Sequence, residues 1–190
     1  MPRPPADRRA LAAAAGARLH LGGIQATSVN ELAADAGVTK LTLYRHFGSK
    51  SELLAQALEQ RHKDRHAELV ELLADAADWR QGTLAVFDWL HAWLSEPAFC
   101  GCAFVQATVE IGRREPRVRD IAARHKARFG RALCDHLAHA GIEKPEEVAG
   151  QLQLLVEGAT ALACIDGDAE HARRARRAAV ALLDAAEQPA

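Results

Sequence analysis

The sequence of 190 residues lacks the features that mark most enzymes, membrane proteins and secreted proteins. It has no apolar run approaching the roughly 20 residues that span a bilayer. Its four cysteines include Cys100 and Cys102, which stand too close together for a Cys-x-x-Cys zinc or redox motif. No glycine-rich phosphate loop is present, and no nucleophile and base stand at a recognised spacing. We therefore expect a cytoplasmic, non-catalytic protein with reduced thiols, no cofactor and no bound metal.

Charge is nearly balanced, at −1, but it is unevenly distributed. Residues 1–50 carry seven lysines and arginines against three acidic residues, whereas the rest of the chain carries 17 against 22. A basic segment in an otherwise acidic chain favours contact with a polyanion at the N-terminal end alone. The hydrophobic content of 49% suffices for one sizeable helical core and a smaller module.

Two short helices joined by a tight turn are predicted between residues 28 and 50. Ser28 and Glu31 have the spacing of a capping box, which satisfies free amides at a helix start. Gly37 suits the positive-φ position that ends this helix, and Thr39 can cap the next one. Gly48 then ends the second helix. Before this region, helix one is expected to run from about residue 10, with Leu11, Ala15 and Leu19 on its inner face.

The second of the two short helices has one apolar face, because Leu43 and Phe47 lie four residues apart. Its outer faces share Lys40, Thr42, Tyr44, Arg45 and His46. Ser49 and Glu52 repeat the capping-box spacing and start a further helix with Lys50 in its first turn. Because the helix macrodipole disfavours a cation there, Lys50 indicates an anion such as a phosphate nearby. This pattern predicts a probe for the DNA major groove; a helical hairpin with solvated polar residues is the alternative.

The stretch from Thr39 to Leu54, TKLTLYRHFGSKSELL, resembles the recognition helix and following helix of the TetR family of bacterial transcriptional regulators. Gly23, Ile24 and Thr27-Ser28 are similar to that family's second-helix start, and FCGCAF at 99–104 resembles a segment found in one of its branches. The resemblance implies an all-α fold. A three-helix helix-turn-helix DNA-binding domain would occupy residues 1–50, with the start of a bridging helix to about 58. A helical effector-binding and dimerisation domain would occupy residues 51–190.

Candidate DNA contacts follow from the resemblance by position. The positions where TetR-like proteins contact phosphates are Thr39, Tyr44, His46 and Lys50. Such contacts set register rather than sequence. The positions where base edges are read are Lys40, Leu41, Thr42 and Arg45. Weaker candidates for backbone contacts, at the start of the preceding helix, are Thr27, Ser28 and Asn30.

The resemblance also implies a repressor that binds a palindromic operator as a homodimer and leaves it when a small apolar or aromatic effector binds. All three tryptophans fall between residues 79 and 93, in a chain with only 5% aromatic residues. An apolar cavity with a few polar groups would suit a small molecule. The predicted lining is Trp79, Phe87, Trp89, Trp93, Phe104, Gln106, Val109 and Glu110. The alternative is a plain helical core.

Two apolar stripes near the C-terminus would form a four-helix dimer interface. They comprise Val148, Leu152, Leu155, Ala159, Leu162, Ala175, Ala179 and Leu182. Internal packing within one subunit is the alternative. The wholly polar segment Glu59–His66 is expected to be a solvated bridge between two packed bodies. The segment Met1–Arg9, with three prolines and three arginines, is expected to be a flexible tail or an arm that enters the minor groove.

Other functions remain open at this point. His62 and His66, and His136 and His139 beside Cys134, have spacings that can share a helix face and bind a metal. A metal- or thiol-responsive regulator is therefore an alternative. So is a helical protein-interaction module without DNA binding, which would lack salt-dependent DNA affinity. An enzyme would be revealed by turnover of a screened metabolite.

Overall fold

The computed structural model describes residues 7–187, and within this range every regular element is an α-helix. The nine helices are α1 Arg8–Gly22, α2 Val29–Asp35, α3 Lys40–Phe47, α4 Lys50–Ala74, α5 Trp79–Leu94, α6 Ala103–Ile111, α7 Pro116–His139, α8 Pro145–Asp166 and α9 Glu170–Ala186. The all-α prediction is confirmed.

The helices form two compact units that do not follow simple chain order. Unit 1 contains the chain up to Asp64 together with Ala103–His125, and unit 2 contains Arg65–Cys102 together with the chain from Lys126 onward. Unit 1 therefore holds α1, α2, α3 and α6, and unit 2 holds α5, α8 and α9. The long helices α4 and α7 each contribute one part to each unit.

In unit 1, α1 buries the face expected from its apolar spacing. Leu11, Ala15 and Leu19 are at most 5% exposed. Asp7 caps the helix by accepting a hydrogen bond from the amide of Arg9 at 3.1 Å. Residues 1–6 of the predicted arm lie outside the described residues. Its last two arginines belong to α1, because the Asp7 cap starts the helix at Arg8.

The prediction that Glu59–His66 forms a solvated bridge between two packed bodies was partly wrong. The boundary between the units does fall inside this segment, after Asp64, and Lys63 and Asp64 are exposed, but the first half of the segment is covered. His62 is only 6% exposed, and its ring packs edge-on against His125 of α7, with 3.3 Å between the two Nδ1 atoms. The Phe104 ring stacks on the His125 ring, with 3.8 Å between the two ring centroids. Glu59 pairs with Arg124, also on α7. Glu59 and His62 of this polar segment are thus covered within unit 1 by polar side chains of α7.

In unit 2, Asp78 caps the start of α5. The Asp78 carboxylate accepts a hydrogen bond from the amide of Gln81 at 2.7 Å. The core between helices is made of large side chains that are at most 1% exposed. They include Phe87, Leu90, Leu133, Leu137, Leu152 and Leu183.

Most of the stripe predicted for a dimer interface is already buried within this core. Val148, Leu152, Ala159, Ala175 and Ala179 are at most 8% exposed. Leu155 and Leu182 pack partly against the same core, whereas Leu162 is 48% exposed. A side chain without exposed area has nothing left to bury against a second copy. Internal packing, the alternative given above, accounts for the buried five.

Helix α8 is more apolar than expected from the sequence, in which no apolar run approached the length needed to span a membrane. By length and composition alone it could cross one, with a mean hydropathy of 1.4 over its most apolar 18 residues. Its apolarity comes from many small residues rather than from an unbroken run of large ones. About 39% of that window is buried in the structure, and core helices pass the same test.

Candidate nucleic-acid interface

Helix α2 starts at the predicted capping box. The Ser28 hydroxyl accepts a hydrogen bond from the Glu31 amide at 3.2 Å, and the Glu31 carboxylate accepts one from the Ser28 amide at 2.6 Å. Hydrogen bonds from the Ser28 backbone and hydroxyl, with the charges of Arg18 and Lys50, lower the pKa of Glu31. Ionised Glu31 therefore holds the helix start in place at neutral pH.

The turn between α2 and α3 has the conformation expected from its glycine. Gly37 has a φ of 61°, and the Val38 amide donates to the Ala33 carbonyl at 2.9 Å, which closes the end of α2. Thr39 then caps α3, since its hydroxyl accepts a hydrogen bond from the Thr42 amide at 3.1 Å. Both ends of this turn are fixed by local hydrogen bonds, so α3 has a defined direction relative to α2.

Helix α3 presents its polar face outward. Leu43 and Phe47 are at most 4% exposed, which anchors the opposite face in unit 1. Leu41 is 70% exposed and Tyr44 is 41% exposed. The Lys40 ammonium lies 5.9 Å from the centroid of the Tyr44 ring. The other predicted contacts on α3 are arranged around them: Arg45 is exposed, and Thr42 and His46 are half-buried.

The candidates at the helix starts are less uniform. Thr39, Ser28 and Asn30 are exposed, whereas Thr27 is only 3% exposed and donates its hydroxyl hydrogen to the Gly23 carbonyl. Lys50 is half-buried, and its Nζ donates to the Thr27 carbonyl at 2.5 Å. The cation that suggested a bound anion therefore has a partner within the protein. A phosphate contact by Lys50 stays a prediction.

Three anchors of this region were not found from the sequence. The Arg18 guanidinium on α1 donates to the Asp35 carboxylate at the end of α2, at 2.9 Å. Lys50 joins α4 to the segment before α2, as described. Gln25, in that same segment, binds Glu110 of α6. Each joins residues at least 17 positions apart, so no local pattern could have indicated them.

The predicted effector-binding residues are distributed over both units. Trp79, Phe87, Trp89 and Trp93 belong to unit 2, and Phe104, Gln106, Val109 and Glu110 belong to unit 1. In unit 2, Trp89 stacks on Trp93 with 5.7 Å between ring centroids, and the Arg65 guanidinium lies over both rings. Phe87 is 1% exposed and belongs to the core. Of the unit 1 residues, Gln106 contacts His20 of α1 and Glu110 contacts Gln25. Phe104 stacks on His125 of α7, and Val109 is 79% exposed.

A groove in unit 2 offers space for a small molecule. Its volume is about 570 Å³, and it is lined by Leu72, Asp75, Ala76, Gln81, Leu84, Ala85, Asp88 and Arg176. None of these residues was predicted from the sequence. Leucine and alanine side chains form the apolar part of the wall, and two carboxylates and a guanidinium form the polar part.

Two of the histidines considered for metal binding, both on α7, hydrogen-bond to backbone carbonyls. His136 contacts the Trp79 carbonyl at 2.8 Å, and His139 contacts the Asp135 carbonyl at 2.6 Å. Burial, with the charges of Glu146 and Asp135, raises the pKa of Cys134, which favours the unreactive thiol. Among residues 7–187, no three or more ligand side chains are grouped so that they could hold a metal ion.

Comparison with protein families explains this arrangement. A family model described as bacterial regulatory proteins, tetR family, matches residues 10–57, which include α2, the turn and α3. A second model, described as a tetracyclin repressor-like C-terminal domain, matches residues 81–179, more than half of the chain. The chain belongs to the TetR family. It is thus a member of a family of DNA-binding transcriptional regulators, not of an enzyme family, and the resemblance noted in the sequence is confirmed.

Solved structures of TetR-family regulators share the fold over nearly the whole chain. One from Streptomyces coelicolor is 24% identical, with a TM-score of 0.87 over 96% of this chain and 91% of its own. A TetR-type regulator from Streptomyces avermitilis is 29% identical, with a TM-score of 0.81 over 96% and 100%. The reduced form of NemR from E. coli is 24% identical, with a TM-score of 0.80 over 91% and 95%. Comparison with curated proteins gave no match.

Proposed function

We propose that this TetR-family regulator is a cytoplasmic repressor that binds a palindromic operator as a homodimer and is released by a small apolar or aromatic molecule. One observation carries the proposal: α3 is capped at both ends, is anchored by Leu43 and Phe47, and exposes Leu41, Tyr44 and Arg45. A rigid helix with hydrogen-bond donors and an apolar side chain on its outer face suits the major groove.

The proposed contacts divide into two groups. Lys40 and Arg45 donate to guanine, and Leu41 and the Thr42 methyl touch thymine. Contacts to phosphates, which set register, come from Thr39, Tyr44, His46 and Lys50, with Ser28 and Asn30 beside them. Lys50 neutralises one phosphate while its Nζ keeps its hydrogen bond to the Thr27 carbonyl.

A homodimer is proposed because one short helix offers few base contacts. Two half-sites spaced by one DNA turn, about 34 to 36 Å, supply the remaining affinity and a palindromic specificity. The outward face of α8 suits such pairing. Leu154 is 72% exposed, Ile165 is 82% exposed, and Leu162 of the predicted stripe lies between them. A Cβ at Gly158 would meet nothing within 4 Å, so this face has room for close helix approach.

The effector is proposed to bind in unit 2. Its aromatic residues Trp79, Trp89 and Trp93 pack on the same core as Leu72 and Leu84, which line the groove. The groove volume lies in the range of about 300 to 1,000 Å³ that holds drug-sized ligands. A molecule with an apolar body and one polar group matches this mixed wall.

Selection of duplexes from random DNA, followed by affinity measurement over a range of salt concentrations, tests the proposal. Wild-type protein is expected to select a palindrome and to bind it with a steep salt dependence. Arg45→Ala should weaken binding about 10- to 100-fold and relax specificity at one position in each half-site. Arg177→Ala removes an exposed arginine from α9 in unit 2 and serves as the matched control. Equal affinity of the Arg45 and Arg177 variants would refute the proposed interface.

Effector release is tested with the same operator. Compounds with an apolar or aromatic body are screened for loss of the protein–DNA complex, and active compounds are tested again on a Leu84→Ala variant, which removes an apolar side chain from the groove wall. The variant should need more compound for release. A compound that releases both proteins equally would place the effector site elsewhere.

A further inference from the structure

Two side chains on α6 contact α1 and the segment that leads into α2. Gln106 and Glu110 lie one turn apart, and the Gln106 amide nitrogen donates to Glu110 Oε1 at 2.8 Å. The Gln106 Oε1 atom then faces Nδ1 of His20 on α1, at 2.6 Å, so this ring nitrogen is the donor. The α6 pair is half-buried in unit 1.

Glu110 holds Gln25 twice. Its Oε2 atom accepts a hydrogen bond from the Gln25 amide at 3.0 Å, and its carbonyl accepts one from the Gln25 side chain at 2.9 Å. Gln25 stands three residues before Ser28, the cap of α2. Both carboxylate oxygens of Glu110 thus accept hydrogen bonds, Oε1 from Gln106 and Oε2 from Gln25.

The segment from Gly23 to Ser28 is therefore held from two sides. Glu110 of α6 binds it at Gln25, and Lys50 of α4 binds the carbonyl of Thr27. Ile24 anchors the same segment in the core, at 5% exposure. The position of α2, on which α3 depends through the Gly37 turn, is set at its start by these contacts.

We propose that Gln106 and Glu110 are positioning residues for DNA binding, through which α6 fixes the start of the helix-turn-helix. This inference rests on the proposed DNA-binding function. It assigns to both residues a role different from effector contact, because their polar atoms are occupied by α1 and the Gly23–Ser28 segment. In this role neither residue contacts DNA. Each restricts the conformations of the Gly23–Ser28 segment in the free protein, so that less conformational entropy is lost when DNA binds.

The chemistry of the contact sets what a variant should do. Glu110→Ala removes the acceptor for the Gln25 amide and frees the Gln106 amide group, while the bond to the residue 110 carbonyl can remain. Operator affinity should fall on the order of three- to tenfold, the effect of one or two hydrogen bonds. The slope of log affinity against log salt should not change, because no phosphate contact is lost.

Hydrogen exchange of the protein without DNA reports the contact directly. Glu110→Ala should speed exchange of the amides in the Gly23–Ser28 segment, where the Gln25 amide is hydrogen-bonded to the carboxylate. Val105→Ala, an exposed substitution on the same helix, is the control and should change neither exchange nor affinity. If Glu110→Ala does not fold, Gln25→Ala removes only the bond to the carbonyl and should show a smaller effect in the same direction.

The two measurements separate the possible failures. Faster exchange together with weaker operator binding at an unchanged salt slope supports the positioning role. If wild-type protein binds operator but Glu110→Ala and Gln25→Ala bind it equally well, the positioning role is refuted and the proposed function stands. If wild-type protein shows no salt-dependent DNA binding, the proposed function itself is refuted, and the positioning role fails with it.

Discussion

Gly16 of α1 lies directly against Ala57 of α4, and a single methyl group added at Gly16 should destabilise unit 1. An ideal Cβ at Gly16 would lie 2.6 Å from the Cβ of Ala57. Carbon atoms in contact normally lie about 3.5 to 4.0 Å apart, so the two helices must separate by roughly 1 Å. The Ala57 methyl is fixed to its backbone and cannot rotate away. Overpacking of this kind costs about 1 to 3 kcal/mol.

An opposing effect reduces the cost. Alanine is favoured over glycine inside a helix by up to about 1 kcal/mol. We therefore expect Gly16→Ala to lower the free energy of unfolding by about 1 kcal/mol, which corresponds to roughly 2 to 4 °C in Tm for a chain of this length. Gly150→Ala on α8 is the matched control. A Cβ there would meet nothing within 4 Å, so it should stabilise by about 0.5 to 1 kcal/mol.

A double-mutant cycle isolates the contact. Ala57→Gly alone loses one buried methyl and helix propensity, about 1 to 2 kcal/mol. In the double variant, Gly16→Ala with Ala57→Gly, the methyl is moved to the other helix and the clash is gone. Its destabilisation should be smaller than the sum of the two single effects by about 1 kcal/mol or more.

Urea denaturation followed by far-ultraviolet circular dichroism measures all four proteins and the control. The urea midpoints should shift while the slope of the unfolding free energy against urea concentration stays the same, because the surface exposed on unfolding does not change. Two results would refute the reasoning. One is a Gly16→Ala protein stabilised as much as Gly150→Ala, and the other is single effects that simply add.

Three further predictions concern the helix-turn-helix and the proposed dimer. The pKa of Glu31 is lowered from 4.5 in the folded protein, so ionised Glu31 stabilises the fold above pH 4.5 and this stabilisation is lost as the pH falls through the lower pKa of the folded state. The stability advantage of wild type over Glu31→Gln, measured by urea denaturation, should therefore shrink below pH 4.5. Lys50→Ala should lower stability by about 1 kcal/mol without DNA, since it frees the Thr27 carbonyl; a residue that serves only to bind phosphate would leave the urea midpoint unchanged. Ile165→Glu should shift the protein toward monomer in sedimentation, and an unchanged dimer would contradict the proposed α8 interface.

The helix-turn-helix could be predicted because its signals are local. The Ser28 and Glu31 hydrogen bonds join residues three apart, and the positive φ of Gly37 belongs to a single residue. Such features depend on the chain within one helical turn. The exposed and buried faces of α3 follow from the spacing of Leu43 and Phe47, and the structure agrees with that division.

The errors concern contacts between residues far apart in the chain. Glu59 and His62 looked solvated because they are polar, but Arg124 and His125 cover them from more than 60 positions away. A polar side chain is buried when a partner is supplied, and the partner is not visible in its own segment. Gln106, which was predicted as an effector contact, likewise has a partner far away in the sequence, His20 of α1.

Apolar periodicity has a similar limit. The stripe that contains Leu152 and Ala179 shows that two helices each have a face to bury, but not what covers that face. In the structure it is the chain's own core, since both side chains are 0% exposed. The face of α8 that we propose for dimer formation instead carries the exposed Leu154 and Ile165, which fall outside the predicted stripe.

The path of the chain between the two units bears on the proposed release of DNA by an effector in unit 2. The chain passes between them three times, after Asp64, after Cys102 and after His125. Two passages lie inside α4 and α7, each of which is a continuous helix. The third leads directly into α6, whose Gln106 and Glu110 hold the start of the helix-turn-helix. Under the proposed function, we therefore expect a change in the Arg65–Cys102 segment to act on the start of α2 through Ala103–Glu110 of α6.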